Sequence, residues 1–249
     1  MTKMTTPRDL SNVAERLGLR FAETAAARDE EDAFAREPLA ALKREGFHRM
    51  LVPVELGGLG ASHREACDVL RRLGRHDGSV ALALSMHTHL VATLLFHQRR
   101  GAYAAGATLR RVAEDDLVLV STGARDWLAS SGTMTRVQGG FRFSAKKAFA
   151  SGSPMGDAAV TSAPFEDPEA GWQVLHFSLP LAQDGVRIGD DWIAHGMRGS
   201  GSHTLIFEDV LVPDAAITLR RARDGFPELW SVVLGVALPL IYAVYVGLA

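Results

Sequence analysis

The residue types in this 249-residue chain that invite chemistry are nine histidines, one cysteine and a scatter of glycine pairs. His87 and His89 stand two apart, which on a helix points them about 200° away from each other, so they cannot share a metal there. No Cys–His cluster and no His-x-x-x-His pair has ligand spacing, and no metal is expected. Gly58-Leu-Gly60 lacks the third glycine of a dinucleotide fingerprint and follows no clear strand, while Gly199-Ser-Gly-Ser202 has ordinary turn composition. There is no Gly-x-Ser-x-Gly elbow and no Walker A lysine, so acyl-hydrolase and nucleotide-triphosphate chemistries lack their mechanical parts. Cys67 has no partner for an internal bridge, and the N-terminus does not read as a secretory leader; a reducing, cytoplasmic compartment is expected.

The elements that must position these residues change character along the chain. Leu10, Val13, Leu17 and Phe21 fall at helical spacing, and Phe34, Leu39 and Leu42 line a second helix that Gly46 can end. The stretch from Leu51 to Ala61, punctuated by Pro53 and three glycines, reads as an ordered loop. Ser62 and Glu65 have capping-box spacing for a helix carrying Cys67, Leu70 and Leu73, and Ser79 to Phe96 is a further, mostly apolar helix. From Leu117 the pattern shortens to strand-like runs, with Gly139-Gly140 as a tight hairpin, and after Pro213 the text turns helical again. An α, then β, then α order predicts separate layers: an α+β multidomain protein with a helical region over 1–116, an antiparallel β-domain over 117–215, and helix over 216–249.

Hydrophobic residues make up 47% of the chain and charged residues 22%, so most of it should fold. Twenty-seven basic residues against 29 acidic ones give a net charge of −2, which offers no field to gather nucleic acid. Leu229 to Ala249 carries no charge, and about 20 apolar residues suffice to span a bilayer. Ser231, Gly235, Pro239 and Gly247 interrupt that run, and a helix apolar all round can equally belong to a protein core. A membrane anchor is therefore the alternative rather than the main expectation.

Three segments in order, Leu51-Val-Pro-Val-Glu-Leu-Gly-Gly-Leu-Gly-Ala-Ser62, Ser79-Val-Ala-Leu-Ala-Leu84 and Phe207-Glu-Asp-Val-Leu-Val-Pro213, resemble landmarks of the acyl-CoA dehydrogenase flavoprotein family. The resemblance implies an N-terminal helical domain, a middle β-domain and a C-terminal helical bundle, with FAD between the last two and homo-oligomers among full-length members. Val118-Leu-Val-Ser-Thr-Gly-Ala-Arg-Asp126 resembles the family's flavin loop, implying cofactor contacts at Val120, Ser121, Thr122 and Gly123. Arg125, where the family usually has Ser, would pair with phosphate oxygens of a substrate. Lys147-Ala-Phe-Ala-Ser-Gly152 resembles the strand whose aromatic residue stacks on the flavin, implying contacts at Phe149, Ala150 and Ser151. His87 falls where the acyl pocket borders the fourth helix, and Arg198 where the family has a structural anchor.

Leu234-Gly-Val-Ala-Leu-Pro-Leu240 resembles the first helix of the family's C-terminal bundle; the rest of the bundle, and the usual catalytic glutamate with it, has no counterpart here. Glu228 misses the register of a base at that helix start, so no catalytic residue is assigned. The resemblance thus implies an acyl-CoA dehydrogenase-like protein whose full-length relatives oxidise acyl thioesters at Cα–Cβ, passing electrons to an acceptor flavoprotein, with this chain inactive alone. The alternative on the same fold is a flavin-dependent monooxygenase using oxygen, which needs no glutamate.

Overall fold

The computed structural model describes residues 9–249; the polar start and the reading of it as leaderless lie outside the described residues. Helices α1 (Leu10–Glu30), α2 (Arg36–Arg44), α3 (His63–His76), α4 (Gly78–Arg99) and α5 (Tyr103–Glu114) come first. Then follow β1 (Leu119–Ser121), β2 (Thr133–Val137), β3 (Gly140–Lys147), β4 (Ala158–Asp167), β5 (Gly171–Pro180), β6 (Val186–Ile188), β7 (Leu205–Pro213) and β8 (Ile217–Ala222), and α6 (Glu228–Leu248) closes the order. The capping box forms as its spacing predicts: Glu65 N–H donates to Ser62 Oγ over 3.2 Å and Ser62 N–H donates to Glu65 Oε2 over 2.8 Å.

The strands build two four-stranded sheets, ordered β1-β4-β5-β8 and β2-β3-β7-β6. Their facing sides share one aromatic core, in which Phe143 meets Phe177 and Phe141 meets Phe165 edge-on at 5.1 Å. Along β5, Leu175, Phe177 and Leu179 belong to that core, so the strand's period of two turns Val174, His176 and Ser178 to the opposite face, toward the helices.

Four expectations change. Residues 217–222 form strand β8 rather than helix, pairing antiparallel with β5, so the sheet extends past Pro213 before α6 begins. The β1–β4 pairing is parallel, an exception in an otherwise antiparallel domain. The hairpin turn is Gln138-Gly139, because Gly140 is already paired with Val137. Helix α5, which the periodicity reading passed over, buries Ala105, Leu109 and Val112 at helical spacing.

Helix α6 lies on α3 and α4, burying Val233, Ala237, Leu240 and Val244 as a single stripe. Both α4 and α6 are long and apolar enough to cross a membrane by length and composition; α4 is mostly buried in protein, whereas α6 buries only its stripe. Pro239 has no N–H to give the preceding turn, and His63 Nε2 meets the nearby Val236 carbonyl at 2.9 Å. The α3–α6 contact is backbone-close: a Cβ on Gly74 would stand 2.5 Å from Val244 O, and one on Gly247 would stand 2.0 Å from Arg71 O. Gly235, on the same helix, faces open space. We expect Gly74→Val to destabilise by roughly 1–3 kcal/mol through overpacking, and Gly235→Ala to stabilise by about 0.5–1 kcal/mol through helix propensity. Thermal unfolding of the two variants checks this; a shift of the same sign in both would refute the account of the seam.

Candidate functional site

A buried polar knot anchors the loop after β1. Lys147 Nζ, at the end of β3, donates to Asp126 Oδ1 at 2.6 Å, Ser131 O at 2.8 Å and Ser162 O at 2.9 Å. Asp126 Oδ2 accepts from Thr122 Oγ1 and from Thr161 Oγ1. Burial pushes the Lys147 ammonium below its ordinary value, with the Asp126 charge opposing that shift. The knot uses up what the resemblance would spend on a cofactor. The Thr122 hydroxyl is engaged internally, Val120 sits in the sandwich core, and Ser121 is buried. What the loop leaves open is Gly123, at φ 90°, with Ala124 and Arg125; Arg125 is exposed and has no ion-pair partner among the described residues.

The second loop is not a strand, because β3 ends at Lys147 and the Phe149 backbone adopts φ 64°, a conformation that costs a non-glycine residue about 1–3 kcal/mol and marks functional sites more often than frameworks. Its ring is 67% exposed and stands edge-on to Trp192 at 6.1 Å. Ala150 N–H donates to His203 O and Gly152 N–H to Ser200 O, zipping this loop to the segment before β7. Ser151 Oγ shares a hydrogen bond with Ser202 Oγ at 2.7 Å, so its hydroxyl is also partnered within the protein. The two loops meet: a Cβ on Gly123 would lie 3.5 Å from Ala148 O. An open aromatic face, an adjoining indole, accessible backbone and an unpaired guanidinium fit a planar ring carrying a phosphate, which is the shape of a flavin nucleotide. Arg198, the expected anchor, reaches Asp32 at 3.3 Å and the Asp29 carbonyl at 3.1 Å, tying the same region to α1.

His87 borders a small cavity of about 40 Å³ together with Ser151 and Gly152, but its role is structural. Its Nε2 meets His48 O at 2.7 Å and its Nδ1 accepts from Leu119 N–H at 2.9 Å, so both ring nitrogens are committed to backbone. Burial pushes its pKa down to about 4, and the neutral ring pins α4 to β1 instead of facing a substrate.

The large cavity lies between α4, α5, α6 and the helix-facing side of the β1-β4-β5-β8 sheet. It has a volume of about 320 Å³, with Leu90, Leu94, Leu119, Val160, Leu219 and Leu229 among its walls, and no carboxylate borders it among the described residues. His176 borders it too, stacked on Trp127 at 5.7 Å and hydrogen-bonded to Arg221, with its pKa pushed down to about 3 by burial and by the Arg221 and Lys147 charges. The motif reading missed this chamber; the signal available was a lone histidine inside the apolar run from Val174 to Leu179. Glu228, at the start of α6, points its carboxylate to Arg100 over 2.6 Å and is exposed.

Comparison with known proteins agrees with this architecture. Residues 10–98 match the family model of the acyl-CoA dehydrogenase N-terminal domain. The amino sugar nitrososynthase RubN8 of Streptomyces rubradiris is 27% identical over 232 residues, covering 90% of this chain and 54% of that protein. The indole-3-acetate monooxygenase of Pseudomonas putida is 28% identical over 206 residues, covering 80% of this chain and 48% of that protein. The solved structure of KijD3 in complex with FMN and a dTDP-linked amino keto sugar superposes with a TM-score of 0.84 at 28% identity, covering 99% of this chain and 62% of that one. The chain thus spans about half the length of the curated relatives it matches. With an acyl-CoA dehydrogenase N-terminal domain over residues 10–98, a β-sandwich behind it and a solved structure that superposes over nearly its whole length, this chain has the acyl-CoA dehydrogenase-like fold.

Proposed function

We propose that this chain forms the substrate chamber and one wall of the flavin site of a flavin-dependent monooxygenase, in preference to an acyl-CoA dehydrogenase. The observation that carries this reading is that a monooxygenase and a nitrososynthase both match along most of this chain. Within the chain, α-proton abstraction would need a carboxylate at the substrate, and Glu228, the acidic residue of α6, is exposed and paired with Arg100. The cofactor expectation widens from FAD to a flavin, with FMN proposed because KijD3 was solved with it.

Bound and reduced, a flavin would supply electrons to dioxygen so that one oxygen atom reaches the substrate. The chain's own residues do the rest: Phe149 and Trp192 wall the ring, Gly123 and Arg125 meet the phosphate, and the leucines of the chamber exclude water. Titration of the purified chain with FMN, followed by flavin fluorescence, is expected to show saturable binding. Phe149→Ala should weaken it by roughly 2- to 12-fold, the equivalent of about 0.5–1.5 kcal/mol of lost stacking. Anaerobic mixing with straight and branched acyl-CoAs should leave the flavin oxidised. Bleaching at an enzyme-like rate, abolished by Glu228→Gln, would overturn the reading in favour of dehydrogenation.

A further inference from the structure

The Arg221–His176 contact settles which nitrogen of His176 carries the proton. Arg221 Nε lies 3.0 Å from His176 Nε2, and a guanidinium only donates, so Nε2 must be the acceptor and the neutral ring must bear its hydrogen on Nδ1. The clamp is firm. The same guanidinium donates to the carbonyls of Trp127, at 3.0 Å, of Leu128, and of Ala222, at 3.2 Å, and Trp127 in turn stacks on the imidazole. His176 is 6% exposed and borders the chamber, yet Nδ1 has no hydrogen-bond partner among the described residues.

Three hydroxyls at the chamber wall are already engaged, while His97 and Ser178 also border it. Thr93 Oγ1 donates to His89 O, Thr108 Oγ1 to Ala104 O, and Thr218 Oγ1 to the His176 carbonyl itself. An Nδ1–H held in this state at the chamber wall offers a donor that an acceptor from outside the protein can meet.

We propose that Arg221 holds His176 as the Nδ1–H tautomer so that it gives a hydrogen bond to an acceptor atom of the substrate, making His176 the specificity residue of the chamber. The inference rests on the chamber being the substrate site. It names a class: an uncharged, compact, largely apolar molecule, about the size of one or two fused rings, with a carbonyl, sulfoxide or ring-nitrogen acceptor. Cations are disfavoured by Arg221 next to the ring and by Lys147 behind it, the two charges that face His176. Arg221 acts only through His176 and is a positioning residue.

The test has two arms on the full chain. In the first, nitrogen NMR of ¹⁵N-histidine-labelled protein at pH 7 should show His176 protonated on Nδ1 and bare on Nε2, and Arg221→Met should return it to the Nε2–H form. A wild-type ring protonated on Nε2 would overturn the proposal without any ligand being needed. In the second, binding of acetophenone is compared with that of ethylbenzene, which has the same shape without the acceptor. The wild type should prefer acetophenone by about 2- to 12-fold, the range of one hydrogen bond, beyond the ratio shown by His176→Phe. Equal ratios in wild type and variant would sink the specificity role while leaving the chamber standing. If neither probe binds the wild type, the chamber reading fails and takes this inference with it.

Discussion

Between pH 6.5 and 4 this protein is expected to lose stability with a slope approaching about 4 kcal/mol per pH unit near pH 5. Three buried histidines set that slope. His87 and His89 have pKa values of about 4 and His176 of about 3, each lowered from 6.5 chiefly by burial. The folded state keeps all three neutral while the unfolded chain protonates them, so unfolding takes up about three protons at pH 5 and stability must fall as pH falls through that window. His48 shifts in the same direction and adds to the effect. Against a typical total of about 5–15 kcal/mol, this is enough to unfold the domain in mild acid. Urea titrations at pH 7, 6 and 5 measure it directly, and an unchanged midpoint from pH 7 to 5 would contradict it. His89 offers the control, because burial is the chief cause of its low pKa: His89→Leu should remove about one proton's share, near 1.4 kcal/mol per pH unit.

The second large effect is expected at the buried knot. Lys147→Met should cost about 3–5 kcal/mol, because it strands the Asp126 carboxylate in the interior with only hydroxyl donors for company. Adding Asp126→Asn to the same chain should restore much of the loss, since a pair removed together leaves no uncompensated charge. The knot also holds Gly123 and Arg125 in place, so FMN affinity should fall with Lys147→Met and recover in part with the double substitution. A single variant within about 1 kcal/mol of the parent would show that the ion pair does not organise the loop.

The helical half was legible in the sequence wherever capping chemistry and apolar spacing coincided, as at Ser62, Glu65, Leu70 and Leu73. It was not legible in α5, whose buried stripe contains Ala105 and whose neighbours include Gly106, so that periodicity had little contrast to register. Strand β8 was hidden for a related reason. Arg220 and Arg221 lie in the stretch after Pro213 that reads as helical, whereas Arg221 turns inward from a strand onto His176. At the site, the resemblance pointed to two loops that meet in the structure, and it named Thr122 and Ser151, whose hydroxyls have partners within the protein, because a motif records residue type and not what a side chain is bonded to. The chamber could not be read at all. Its walls are ordinary leucines from several distant elements, each explained as core by its own local pattern, and their convergence exists only in three dimensions.

The seam between α3 and α6 has a consequence for how the chain reaches this state. His63 and Val236, which meet across it, are 173 residues apart in sequence. Closing so long a loop costs roughly 4–5 kcal/mol of chain entropy beyond a constant, none of it returned until α6 docks. A growing chain therefore emerges with the α3–α4 face bare, holds it bare through the synthesis of both sheets, and covers it only when α6 arrives. In that interval the apolar face is open to other chains, so a hazard in producing this protein is association during synthesis, before α6 has become available to compete.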